Sequence, residues 1–124
     1  MKLTIAQYPN AIAQAAQAVN HLDYRLNRTK RRVEAIENAA ETITAFEADL
    51  KNDSQRKAHK AGLLLANEEY QDALEVLTSL SQEKSNALAH LEQLRNEFSV
   101  AKLEVRMAIA QKLTGLEARE LVGM

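Results

Sequence analysis

Residues 12–43 read IAQAAQAVNHLDYRLNRTKRRVEAIENAAETI, and the spacing of their apolar side chains decides the fold. From Ile12 to Ile43 these positions alternate by three and four residues, with Thr29 as the polar exception. This alternation places the side chains on one face of an α-helix and is the heptad pattern of a coiled coil. The pattern continues in both directions and predicts a first helix over about residues 5–51.

The second half of the chain repeats this pattern. Its apolar positions again alternate by three and four, from Leu63 to Ala108, with Lys84 as the polar exception. They predict a second helix over about residues 57–113. Residues 114–124 then form a C-terminal tail, since Thr-Gly at its start is typical of a helix end.

A polar stretch, residues 52–62, separates the two patterns and ends on Gly62. Glycine disfavours a helix by roughly 1 kcal/mol relative to alanine, so this stretch is the predicted turn region. Elsewhere turn residues are scarce, because the 124 residues include only three Gly and one Pro. Such a chain has few, long elements, which excludes Rossmann and P-loop folds, β-sandwiches, barrels and active sites assembled from loops.

Two features of this fold stay open at the sequence level. The first helix begins either at Thr4, which with Gln7 fits a capping box, or at Pro9. The second helix is either continuous or breaks near residues 78–81, where Thr and Ser weaken a helix, to give a three-helix bundle.

The two patterns fit together as an antiparallel hairpin in one preferred register. Placing Phe98 opposite Ala15 puts a large side chain against a small one. The same register places Thr29 opposite Lys84, so that the two polar residues form one layer that fixes the alignment. A shift by one heptad in either direction sets Lys84 against Leu22 or Ile36, which strands an ammonium among aliphatic side chains. We therefore predict the first register.

Some apolar residues of the second helix lie off its main pattern, and they form a candidate oligomer face: Leu74, Leu88 and Ile109. Two helices cannot cover them, and a second copy is the simplest cover. The predicted fold is therefore all-α: a single domain over residues 1–124, built as a long antiparallel helical hairpin (a two-helix coiled coil) that dimerises into a four-helix bundle.

Basic residues cluster in two places. The candidate partner-binding patch has five cations in eight positions: Arg25, Arg28, Lys30, Arg31 and Arg32. The candidate hairpin-tip patch has three: Arg56, Lys57 and Lys60. Charges beside an apolar seam usually pair with the neighbouring helix, which is the interpretation we favour first. Such clusters also bind acidic protein surfaces or phosphates, and we favour a protein over a nucleic acid because no aromatic residue interleaves with either cluster.

The sequence offers no arrangement typical of catalysis or metal binding. Cysteine is absent, and none of His21, His59 and His90 has a carboxylate three residues before it, as a Glu-x-x-His metal site requires. Nucleophilic catalysis also needs an oxyanion hole, which is usually built at a tight turn. We therefore predict no enzymatic activity, no cofactor and no metal.

The remaining expectations concern location and function. No apolar run typical of a signal peptide follows the first residues, and the longest nonpolar stretch, residues 61–66, is too short to span a bilayer. A cytoplasmic protein without membrane contact is expected. We predict a non-enzymatic interaction protein that binds a macromolecular partner helix-on-helix or is a subunit of an oligomer, with a homodimer favoured. The alternative is a nucleic-acid-associated protein that uses the basic face of the first helix.

Overall fold

The computed structural model describes the backbone of residues 3–122 and the side chains of residues 3–116. Within the described backbone every regular element is helical and no strand is present, which confirms the all-α class. A short 3-10 turn is followed by three α-helices: α1 (Tyr8–Ala45), α2 (Asp53–Ala66) and α3 (Glu68–Val122).

Both candidate starts of the first helix contribute to its N-terminus. The backbone N–H of Thr4 donates to Oε1 of Gln7 at 2.9 Å, as one half of a capping box does. A 3-10 turn then spans Ile5–Gln7, and α1 begins at Tyr8. Pro9 therefore lies in the first turn of α1, where its missing amide hydrogen costs no helical hydrogen bond.

The segment after α1 differs from the sequence prediction. Helix α1 ends at Ala45 rather than near residue 51, and α2 occupies most of the predicted turn region 52–62. Asn52 explains why a helix starts here: its Oδ1 accepts a hydrogen bond from the backbone N–H of Gln55 at 2.9 Å. This side-chain cap satisfies an amide that otherwise lacks a helical partner, and it offsets the cost of Gly62 inside the helix.

Replacing Asn52 by alanine removes this cap, and we expect α2 to lose about 1 kcal/mol of local stability. The measurement is amide hydrogen exchange of α2, in which protection is expected to fall by a factor of about five. Asn52→Asp is the matched control, since an aspartate keeps the acceptor oxygen and suits the positive end of the helix dipole. Equal exchange rates in the two variants would contradict the capping role.

A single residue, Asn67, separates α2 from α3. Its backbone is extended, with φ −88° and ψ 106°, and its N–H donates to the carbonyl oxygen of Leu64 at 3.2 Å. Its side-chain Oδ1 accepts from the N–H of Tyr70 at 2.9 Å. Asn67 therefore ends one helix and caps the next.

Helix α3 begins at Glu68 rather than near residue 57, and it also differs from the predicted second helix at its C-terminal end. It runs without interruption through residues 78–81, where the hydroxyl of Thr78 donates to the carbonyl of Leu74 at 3.1 Å. It also continues past residue 113 to Val122, so residues 114–122 of the predicted tail are helical. The last two residues of that tail lie outside the described residues.

Contacts along α1 and α3 divide the chain into two units, of which the first comprises Met1–Ala18 and Ala87–Met124. Its buried side chains lie at positions of the heptad pattern: Tyr8, Ala15, Leu91 and Leu94. The ring of Tyr8 stacks on the ring of Phe98, with 5.5 Å between centroids and 21° between the planes. Phe98 thus meets a residue one heptad away from Ala15, the partner that was predicted for it.

The second unit comprises Val19–Asn86. Its buried apolar side chains also lie at pattern positions: Leu26, Val33, Ala40, Ala73 and Leu80. Thr44 is buried too, although it lies off the pattern.

The predicted layer of Thr29 and Lys84 is wrong. Within the second unit, Nζ of Lys84 donates to Oδ1 of Asp23 at 2.7 Å, and the hydroxyl of Thr29 instead bonds the carbonyl of Arg25 at 3.0 Å. The long lysine side chain carries its ammonium past the apolar positions to a carboxylate at their edge. A register shifted by one heptad strands the ammonium of Lys84 only if no carboxylate lies within its reach, and Asp23 lies within reach.

Candidate functional site

A groove in the second unit is lined by side chains from both long helices and has a volume of about 200 Å³. We call it the Arg groove. Its residues are Arg25, Arg28, Thr29 and Arg32 from α1 with Val76 and Leu80 from α3.

Helix geometry positions the lining of the Arg groove. Arg25, Arg28 and Arg32 are spaced by three and four residues, which places them on one face of α1. The same spacing rule brings Val76 and Leu80 together on α3. Leu80 is buried, whereas Val76 is 46% exposed and forms an accessible apolar floor.

The positive charge of the groove is only partly neutralised. Nη2 of Arg32 lies 2.8 Å from Oε1 of Glu69, and both side chains are more than half exposed, so this pair contributes at most about 1 kcal/mol. The guanidinium of Arg28 lies 5.9 Å from the ring centroid of Tyr24, a cation–π contact. Within the described part of the chain, neither Arg25 nor Arg28 has a carboxylate within ion-pair distance.

The predicted partner-binding patch is therefore brought together only in part. Three of its five residues line the groove, while Lys30 and Arg31 are exposed outside it. Lys30 acts at longer range, since its charge helps to lower the pKa of Asp23.

The predicted hairpin-tip patch lies on α2, and two of its three cations are paired. Arg56 bonds Asp53 at 3.0 Å, and Nζ of Lys60 lies 2.6 Å from Oε2 of Glu41. The hydrogen bond to Glu41 raises the pKa of Lys60, because the carboxylate favours the charged amine. Lys57 is exposed.

Two further polar contacts join α1 to α3 in the second unit. The hydroxyl of Tyr70 donates to Oε1 of Glu37 at 3.1 Å, and burial, followed by this hydrogen bond to a carboxylate, raises the pKa of Tyr70. The hydrogen bond from Lys84, and then its positive charge, lower the pKa of Asp23. Both contacts hold the helices in register at the edge of the apolar core.

The lowered pKa of Asp23 predicts how stability changes with pH. Folding favours the ionised carboxylate, so its contribution is present above the pKa of an unfolded aspartate, about 3.9, and disappears as the pH falls through the lowered folded pKa. We expect the urea midpoint of the native chain to exceed that of Asp23→Asn at neutral pH, and the two midpoints to converge in acid.

Asp49→Asn is the control for this measurement. Asp49 is exposed and has no ion pair within the described residues, so the substitution is expected to leave the urea midpoint unchanged. A difference between the native chain and Asp23→Asn that persists unchanged into acid would show that the lysine contact does not act through charge.

The candidate oligomer face contains one half-buried residue and two exposed ones. Leu74 is half-buried, whereas Leu88 and Ile109 are 45% and 53% exposed. Their contact with a second copy stays a prediction.

A second exposed apolar surface lies on α3 in the first unit, and we call it the α3 apolar face. It consists of Val100, Leu103 and Met107, which are spaced by three and four residues and are each just over half exposed. All residues from 102 to 116 are exposed in the structure. These three residues lie off the heptad pattern of the second helix, so the apolar spacing predicts no surface for them.

No candidate metal centre is present among the described residues, in which no group of three His, Asp or Glu side chains converges. None of the described helices combines the length and the apolar character needed to cross a membrane. Comparisons of the chain with protein-family models, with curated proteins and with solved structures found no match.

Proposed function

We propose that this chain is a non-enzymatic helical binding protein that holds a macromolecular partner by helix-on-helix contact, either another protein or a further subunit of an oligomer. The α3 apolar face carries this proposal. Contiguous apolar surface on a water-exposed helix typically marks a binding site, whereas single exposed apolar residues are ordinary.

The opposite side of α3, over residues 105–116, also favours a bound partner. Val105, Ile109 and Leu116 are exposed and lie on the side of α3 away from the α3 apolar face. A helix with apolar residues on two sides is usually covered by neighbours, and an uncovered helix is only marginally stable in water. A partner helix packed here would bury these side chains and stabilise the segment.

The proposal includes a finer architecture, in which α1 and α3 form an antiparallel hairpin that dimerises into a four-helix bundle. Two contacts in the second unit support the antiparallel sense. Lys84 bonds Asp23 and Tyr70 bonds Glu37, so the later residue of α3 contacts the earlier residue of α1.

The test is affinity purification of the chain from its native host, with identification of any protein bound in stoichiometric amount. Leu103→Glu combined with Met107→Glu places two carboxylates on the α3 apolar face and is expected to release the partner. Ser81→Glu combined with Ser85→Glu is the matched control, since it adds the same charge at exposed positions of the same helix. A partner that both variants retain, or a native chain that stays a single protomer and binds nothing, contradicts the proposal.

A second candidate function is association with nucleic acid, and the unpaired charges of Arg25 and Arg28 favour it. Phosphate contacts weaken steeply as salt displaces them, so binding to duplex DNA would fall with ionic strength and be lost on changing Arg28, Arg31 and Arg32 to Glu. We rank this function second because the apolar floor at Val76 offers phosphate nothing to bind.

A further inference from the structure

We propose that the Arg groove binds a second copy of this chain, through a row of carboxylates on the partner copy's α3. This inference rests on the proposed function as a helix-binding protein and names one partner and one surface.

The first step is the presence of an unpaired acidic row on α3 of the second unit. Its members are exposed and have no ion pair within the described residues: Glu68, Asp72 and Glu75. They are spaced by four and three residues and therefore lie along one side of the helix. Three like charges without partners favour the approach of an oppositely charged surface.

The second step is the match between the two rows. The arginines of the groove are spaced by three and four residues, which is the spacing of the acidic row read backwards. When α1 of one copy lies antiparallel to α3 of another, Arg25 meets Glu75, Arg28 meets Asp72 and Arg32 meets Glu68 without any offset between pairs. The two rows are therefore complementary in sign and in spacing.

The third step is reach, and an intrachain contact supplies it. Arg32 already bonds Glu69 of its own chain at 2.8 Å, so an arginine on this face of α1 spans the distance to a carboxylate on a packed α3. Glu69 and Glu68 are adjacent, and the interchain pair differs from the intrachain pair by one position along α3.

The fourth step is the apolar floor between the charged rows. Val76 lines the groove and is 46% exposed, so the α3 of a second copy seated on the groove covers it. On that second copy, Val76 lies four residues from Asp72 and therefore next to the acidic row. Two-fold symmetry makes the contact occur twice, once from each copy, which is the usual construction of a closed homodimer. Phosphate or a purely polar ligand would gain nothing from this floor.

The experiment measures self-association of the full chain by sedimentation equilibrium at low and high salt. We expect a dimer whose dissociation constant rises with ionic strength, because exposed ion pairs are screened. Two charge-reversed chains test the rows separately: Arg25→Glu with Arg28→Glu, and Asp72→Arg with Glu75→Arg. Each is expected to weaken self-association by at least about tenfold, since like charges then face each other.

An equimolar mixture of the two reversed chains is the decisive sample. Each reversed row then faces a reversed row of opposite sign, and each native row faces a native one, so a heterodimer is expected to form. Lys51→Glu with Lys57→Glu is the matched control, with the same change in charge at exposed positions outside the groove, and it should remain dimeric. Circular dichroism checks that each variant keeps its helices.

Several outcomes would overturn this inference. They are a native chain that is monomeric at every salt concentration, a dimer that survives both reversals, and reversed chains that stay monomeric when mixed. A monomeric native chain that binds an acidic helical peptide or duplex DNA through Arg25 and Arg28 assigns the groove to that ligand instead. A monomer that still holds a foreign protein on the α3 apolar face overturns this inference and leaves the proposed function intact.

Discussion

Replacing Leu80 by alanine is expected to lower the free energy of unfolding by about 2–4 kcal/mol. Leu80 is only 3% exposed, so the substitution loses the burial of its aliphatic carbons and leaves a cavity that its neighbours fill incompletely. Urea denaturation followed by far-ultraviolet circular dichroism measures the change. The protein concentration must be held constant, because self-association adds to apparent stability.

Leu65→Ala is the control for this prediction, because it makes the same chemical change at a leucine that is 75% exposed. A surface substitution of this kind is expected to change stability by less than about 0.5 kcal/mol. Similar losses in the two variants would show that Leu65 is covered in solution, which would itself indicate a bound partner or second copy.

Tyr8→Ala is expected to cost about 3–5 kcal/mol, as for other buried aromatic residues. Tyr8 is completely buried and its ring stacks on that of Phe98. The truncation removes both the apolar burial of the ring and a stacking interaction that contributes about 0.5–1.5 kcal/mol. The same urea measurement applies.

Tyr8→Phe separates the ring from its hydroxyl group. The hydroxyl oxygen is buried and has no hydrogen-bond partner within the described residues, so the native chain bears the cost of its desolvation. We expect Tyr8→Phe to raise the free energy of unfolding by about 1 kcal/mol. A loss of stability instead would show that the hydroxyl has a partner in solution.

The helical class could be predicted because apolar spacing reports burial directly. Residues such as Leu26, Val33 and Leu91 lie on the heptad pattern, and the structure buries them. The start of α2 at Asp53 could not be predicted in the same way, because α2 contains no buried residue and depends on local capping by Asn52. Asn67 likewise ends α2 through its own backbone and side chain, which an apolar pattern does not report.

The register could not be obtained by matching positions one to one. That procedure treats each residue as a point opposite another, whereas the ammonium of Lys84 lies several ångströms from its own backbone and reaches Asp23. Asp23 is not one of the apolar pattern positions, so matching those positions between the two helices takes no account of it.

The candidate site was predictable along one helix only. The spacing of Arg25, Arg28 and Arg32 already placed them on one face of α1. Val76 joins them because of the register, and the ion pair of Arg32 with Glu69 depends on the register as well. Because the predicted register was wrong, Val76 was not expected beside these arginines.

The exposed connection between α1 and α3 determines where this chain can tolerate an inserted sequence. None of the residues of α2 is buried, and it contacts α1 through the surface ion pair of Lys60 with Glu41 and through the half-buried Leu63 and Leu64. A connection of this kind can be lengthened or exchanged at small cost, because closing a loop twice as long costs only about 0.6 kcal/mol more. The non-helical stretch between Ala45 and Asn52 is therefore where the chain can accept an inserted sequence, a label or a new binding motif while α1 and α3 keep their pairing in the second unit.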